Sequence, residues 1–219
     1  MLTMDGESRP ISGLVWIRAA IALFQVVVLI LAVAVPIHMS PPWDAAALAV
    51  IVVVPCIAVA GVGNVRLLPL AIWLVACTAL VSGFTFLAET SIDRSLPGGA
   101  AFVRSLANLS IVSLLVFLCH CAVAAGAADG RLIARWSTYL ETSRALGTRV
   151  VVAGFVVALF WLFVILIAQG IDRSGLDVSK AAWTLDWFAL PATLLLGNVV
   201  FHAIDVHARR ASSTRSQGA

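Results

Sequence analysis

Two histidines in apolar stretches are the residues of this sequence whose types and spacing could do chemistry. His120 lies between Cys119 and Cys121 in LLVFLCHCAVAA, and His202 stands three residues before Asp205 in FHAIDVHARR. Histidine nitrogens bind transition metals and haem iron, and an ionisable side chain inside an apolar segment is a candidate functional group. The pattern therefore raises a haem or metal site as one hypothesis.

The cysteines beside His120 do not extend this site if the stretch is helical. Successive residues of an α-helix project about 100° apart, so the thiols of Cys119 and Cys121 point to well-separated sides. They cannot bind one ion together with His120, and they cannot form a disulfide with each other. All four cysteines fall in apolar stretches, and we expect free thiols and no metal ion bound by them.

The spacing offers His202 as a partner for His120. If their helices run in the same direction, the two residues lie about 10 to 13 Å from the same end of the bundle. Two histidines at one depth can hold a b-type haem, with Asp205 accepting a hydrogen bond from His202. A neutral histidine hydrogen-bonded to a neighbouring helix explains the same residues without a cofactor, and both interpretations stay open.

The elements that must position these histidines are transmembrane helices. Hydrophobic residues make up 62% of the chain and charged residues 11%, against about 45 to 50% and about 25% in soluble domains. A helix needs about 20 apolar residues to cross a bilayer. Six stretches approach or exceed that length, namely 14–36, 45–61, 67–88, 106–128, 150–169 and 186–205. We therefore predict an all-α, polytopic bundle of six spans, with the transmembrane domain covering 14–205.

The second span is the least secure of the six. It contains Pro55, and only the five residues VGNVR separate it from the third span. A re-entrant hairpin is the alternative to two spans joined by a tight turn. We favour two spans, because backbone polar groups exposed to lipid are costly.

The distribution of basic residues predicts the topology. With six spans, ten of the fourteen fall on the side of the two chain termini, with Arg18 snorkelling at the boundary of the first span. We therefore expect a cytoplasmic leader at 1–13 and a basic, disordered cytoplasmic tail at 206–219. The composition, with a single lysine and abundant alanine and valine, is typical of GC-rich bacterial genes. It indicates a multi-pass protein of the bacterial cytoplasmic membrane.

The loop at 129–149 holds the candidate contacts with lipid or with other proteins. Its pattern predicts a short interfacial helix or a cytoplasmic extension of the fifth span, with arginines that meet anionic headgroups. The candidate contact residues are Arg131, Arg135, Trp136, Arg144 and Arg149.

We expect no catalytic site and no nucleic-acid partner. The sequence has no G-x-S-x-G, H-E-x-x-H or Walker pattern, no block of like charge, and no acidic residue in the central half of any span. Three functions stay open. The first is an accessory, regulatory or interaction subunit that contacts membrane or cytoplasmic proteins, the second a small-solute permease or binding subunit, and the third a haem or metal protein using His120 and His202. The polar residues expected inside the bundle are Gln25, Thr78, Ser82, Thr85, Ser110, Ser113, Asn198 and the two histidines.

Overall fold

Six α-helices account for nearly all of the residues that the computed structural model describes, which are 11–34, 40–91, 98–173 and 186–217. The helices are α1 Ile11–Ala34, α2 Pro41–Gly61, α3 Leu67–Thr90, α4 Gly98–Asp129, α5 Trp136–Arg173 and α6 Asp186–Gln217. Each one contains an apolar stretch long enough to cross a membrane. The prediction of an all-α bundle with six spans is confirmed, and the chain is a multi-pass membrane protein.

The helices pack in a closed ring in chain order. Each helix contacts the next, α6 returns to contact α1, and α2 additionally contacts α4 and α6. This arrangement leaves α2 and α5 on opposite sides of an inner space that α4 and α6 flank. The candidate site described below lies in that space.

Helix α2 is continuous over 21 residues although it contains Pro55. Proline has no N–H, so the carbonyl of Ile51, four residues earlier, loses its partner within the helix. The side-chain amide of Gln25 on α1 donates to this carbonyl at 3.0 Å and to the carbonyl of Val52 at 2.9 Å. The second predicted span is thus a helix of membrane-spanning length. Gln25 of the neighbouring helix α1 supplies the hydrogen bond to Ile51 that Pro55 cannot donate.

Helices α4 and α5 extend beyond the turn that joins α2 to α3. The ring of His120 lies against Gly61, the last residue of α2, with its Cε1 3.3 Å from where a Cβ on Gly61 would be. Helix α4 then continues for nine residues to Asp129, which is about 13 Å. Since α5 begins at Trp136 without a break before its apolar stretch, the segment after the loop is an extension of the fifth span.

Asp129 closes the short loop between α4 and α5. Its carboxylate accepts hydrogen bonds from the backbone N–H of Arg135 at 2.7 Å and from the hydroxyl of Thr138 at 2.9 Å. The loop also folds back on α4, because the N–H of Arg131 donates to the carbonyl of Gly126 at 3.0 Å. Gly130 has φ +64°, a left-handed conformation that favours glycine.

The last helix includes most of the segment predicted as a tail at 206–219. Helix α6 continues through Gln217. This segment is rich in alanine, arginine and serine and contains no proline, with its glycine at position 218. Nothing in its composition therefore ends the helix earlier.

Candidate functional site

A cavity of about 400 Å³ lies between α2, α4, α5 and α6. Most of its walls are aliphatic, and the polar side chains that line it are those of Cys56, Ser113, His120, Thr193 and Asn198. No Asp, Glu, Lys or Arg lines this cavity among the described residues. Its volume is in the range of sites that hold small organic molecules, and its lining suits a largely apolar, uncharged one.

Two of the polar side chains at the cavity are engaged by other helices. The Asn198 amide donates to Oε1 of Gln25 at 2.9 Å, which orients the glutamine toward the proline site of α2. The Thr193 hydroxyl accepts a hydrogen bond from the indole of Trp161 at 2.8 Å and donates to the carbonyl of Ala189. These contacts hold α1, α5 and α6 around the cavity.

His120 is different, because one of its ring nitrogens has no partner among the described residues. The side chain is 1% exposed. Its Nδ1 accepts a hydrogen bond from the Trp73 indole at 3.2 Å, whereas its Nε2 is buried and unpaired. An indole N–H can only donate, so Nδ1 carries the lone pair and the neutral ring carries its proton on Nε2. His120, a residue of the cavity wall, therefore has one buried N–H donor that is unused among the described residues.

The same tautomer weighs against haem or metal ligation by His120. A ligating Nε2 needs its lone pair, which would move the proton to Nδ1 and set two donors, the imidazole and the Trp73 indole, against each other. His202 has other surroundings, since its Nδ1 lies 3.4 Å from Nη1 of Arg18. Among the described residues, no group of three or more His, Cys, Asp or Glu side chains could hold a metal ion.

A buried ion network lies at the end of the bundle where the α2–α3 turn is. Asp205 on α6 contacts Nη1 of Arg18 on α1 at 2.6 Å and Nη1 of Arg149 on α5 at 2.5 Å. Arg18 also donates to the carbonyl of Val62 at 2.7 Å. Three helices are thus joined at one carboxylate, and Arg18 links them to the α2–α3 turn. Asp205 lies one helical turn from Phe201 in the cavity wall.

This network corrects the expectation for Arg18. It does not snorkel to the membrane surface, because its side chain is only 2% exposed and ends on the Asp205 carboxylate. Asp205 likewise pairs with two arginines, and its predicted role of accepting a hydrogen bond from His202 stays a prediction. The sequence signal for the network was an arginine in the first span and an aspartate in the last, both near the same predicted boundary.

The five predicted contact residues fall into two groups. Arg149 is mostly buried, and its guanidinium is bound to Asp205. The other four are exposed, on the loop after α4 and on the first turns of α5, and they are Arg131, Arg135, Trp136 and Arg144. The four cysteines are free thiols, as predicted.

No protein-family model matches this sequence, and no curated protein or solved structure matches it either.

Proposed function

We propose that this protein is a membrane subunit that binds a small, uncharged and mainly apolar molecule in the cavity between α2, α4, α5 and α6. The observation that carries the proposal is the buried, unpaired Nε2–H of His120, a residue that lines a cavity with otherwise largely apolar walls. A buried donor without an acceptor costs about 1 to 3 kcal/mol. A bound molecule with a carbonyl, ether or hydroxyl oxygen would remove that cost.

The lining also supports a neutral ligand over an ionic one. A bound ion would need a charged partner, and the charges nearest to the cavity, on Arg18, Arg149 and Asp205, are bound to each other. Most of the binding free energy would come from the aliphatic walls, and His120 would select for an acceptor atom. This proposal corresponds to the binding-subunit alternative from the sequence.

The accessory-subunit prediction is compatible with such a ligand. A membrane protein that senses or presents a small molecule to a larger assembly would need both a cavity and an exposed surface. We further propose the bacterial cytoplasmic membrane as its location, with the arginine-rich end on the cytoplasmic side, supported by the bias of basic residues.

The test is a pair of glycine substitutions that differ only in location. A Cβ added at Gly154 in the cavity wall, or at Gly83 on the exposed side of α3, would meet no atom within 4 Å. Gly154 lines the cavity and is itself exposed, so Gly154→Phe should narrow the cavity from its open side, whereas Gly83→Phe should extend into lipid. The wild type and both variants are purified in mild detergent, and the bound molecules are extracted and quantified by mass spectrometry.

We expect the wild type and Gly83→Phe to carry the same uncharged compound at a near-stoichiometric amount. Gly154→Phe should have lost it while keeping the helical circular dichroism spectrum. A wild-type protein without any bound compound, or a compound present equally in all three proteins, would refute the proposed function.

A further inference from the structure

An exposed stripe runs along α5 from its spanning part to its N-terminal end. The stripe consists of Leu140, Arg144, Val151, Phe155 and Leu162. Spacings of four and seven residues place these side chains on one face of the helix. The face that includes Leu146 and Ala153 is buried and lines the cavity. The stripe is thus separate from the cavity, and its apolar part, within the membrane-spanning segment, faces lipid.

Arg144 stands where this lipid-facing surface leaves the apolar segment. It is seven residues before Val151, a distance of about 10 Å along the helix. That distance would place its guanidinium near the headgroups of lipids whose chains cover Val151 and Phe155. Unlike Arg149, Arg144 takes part in none of the ion pairs between described residues.

The loop before α5 adds further basic and apolar side chains. Leu132 is 99% exposed and Ile133 is 83% exposed, and Arg131 and Arg135 stand on either side of them. The contacts of Asp129 and Gly126 hold the loop in place. Apolar side chains interleaved with arginines on an ordered loop are the combination that partitions into an anionic membrane surface.

We infer that Arg144 on the stripe and Arg131 and Arg135 on the loop bind the phosphates of acidic phospholipids in the adjoining leaflet. Arg135 also pairs with Asp129 at 3.4 Å, but its side chain is 70% exposed. Each guanidinium would hold a phosphate by paired, charge-assisted hydrogen bonds. The acyl chains would lie on the apolar part of the α5 stripe. The arginines continue the lipid-facing surface of Val151 and Phe155, and this continuity favours lipid as the occupant. A protein partner would have to cover the arginines without covering Val151 and Phe155.

The test measures lipid selectivity of the full chain in nanodiscs that contain phosphatidylcholine and a minor fraction of phosphatidylglycerol. Native mass spectrometry counts how many of each lipid remain on the released protein. The Arg131→Ala/Arg135→Ala/Arg144→Ala variant is compared with Arg173→Ala, which removes an exposed arginine from the other end of α5. A parallel sample contains excess soluble glycerol phosphate, and circular dichroism checks that the variants are folded.

We expect the wild type and Arg173→Ala to retain phosphatidylglycerol preferentially. The preference should fall about fivefold for each arginine removed, the factor to which about 1 kcal/mol corresponds, and glycerol phosphate should not displace the lipid. An unchanged preference for phosphatidylglycerol in the triple variant would overturn the inference and indicate that these residues contact a protein partner. Displacement by glycerol phosphate would overturn it in favour of a soluble phosphate ligand.

Discussion

Asp205 contacts two arginines from different helices, and one of them, Arg18, also donates a hydrogen bond to the Val62 carbonyl. The Asp205 side chain is 1% exposed, so water cannot take the place of its carboxylate if the residue is substituted. Removing one member of a buried ion network leaves the remaining charges without compensation, which commonly costs about 3 to 5 kcal/mol. The network is therefore a sensitive point for the stability of the α2–α3 end of the bundle.

Asp205→Asn should accordingly destabilise the protein by about 3 to 5 kcal/mol, because two buried guanidiniums would lose their counter-ion. Thermal unfolding in one detergent, followed by circular dichroism, measures the loss. Arg135→Ala serves as the control, since Arg135 is 70% exposed in its pair with Asp129, and it should change stability little. Equal effects of the two substitutions would contradict the buried network.

The Gln25 side chain makes a second prediction at this scale. Gln25→Leu removes the donor to the carbonyls of Ile51 and Val52 and the acceptor for Asn198, which should cost about 1 to 3 kcal/mol. Ser82→Ala is the matched control, because the hydrogen bonds of the Ser82 hydroxyl to described residues all go to carbonyls of its own helix. Unfolding by sodium dodecyl sulfate gives both values, and a Gln25 variant as stable as the Ser82 variant would disprove the bridging role.

At the scale of elements, the return of the chain from α4 to α5 depends on Gly126. A Cβ there would lie 2.8 Å from the carbonyl oxygen of Arg131 and 3.3 Å from that of Leu132. Both are backbone atoms, so no side chain can rotate away to make room. The loop that presents Arg131 and Arg135 can keep its conformation only if this residue lacks a side chain.

We therefore expect Gly126→Ala to displace the loop and to speed up hydrogen exchange of the Arg131 and Arg135 amides, which bond to Gly126 and Asp129. Gly147→Ala on α5 should leave this exchange unchanged, because its Cβ would meet no atom within 4 Å. It should stabilise the helix slightly. Hydrogen exchange with mass spectrometry compares the two, and unchanged protection in Gly126→Ala would rule out the close approach.

The helices themselves were largely predictable from the sequence, because lipid imposes a minimum apolar length that six stretches meet. Their ends were less so. Helix α5 begins fourteen residues before the predicted span at 150, and its early turns are polar. A helix whose apolar part crosses the membrane can continue into water, so the length of the apolar stretch does not give the position of the helix end. The pairing of Gln25 with the proline site of α2 required the tertiary arrangement, because it joins residues about 26 positions apart.

The candidate site was predictable only in part. His120 was identified as an ionisable residue in an apolar segment, but its tautomer depends on Trp73, 47 positions away. Arg18 near the start of a span resembles a snorkelling arginine, and only the packing of α1 against α6 brings it to Asp205. The cavity is a gap between four helices, and no local sequence pattern predicts such a gap.

At the scale of the whole molecule, the contacts of Arg18, Val62, Arg149 and Asp205 place four parts of the chain at one end of the bundle. The sequence predicts that this end is cytoplasmic, because six spans would put ten of the fourteen basic residues on the side of the two termini. Fusions of a cytoplasm-active reporter to each terminus should then both be active, and a periplasm-active reporter should be silent at both. Activity of the two reporters at opposite termini would contradict the six-span topology.

In the proposed function, a bound neutral molecule accepts a hydrogen bond from Nε2 of His120. Nitrogen-15 NMR of histidine-labelled protein tests it directly, with His120→Phe used to assign the signals. We expect a proton on Nε2, an unprotonated Nδ1 that accepts the hydrogen bond from Trp73, and an Nε2 signal that moves when the bound compound is extracted. A ring protonated on Nδ1, or an Nε2 signal that is the same before and after extraction, would contradict it.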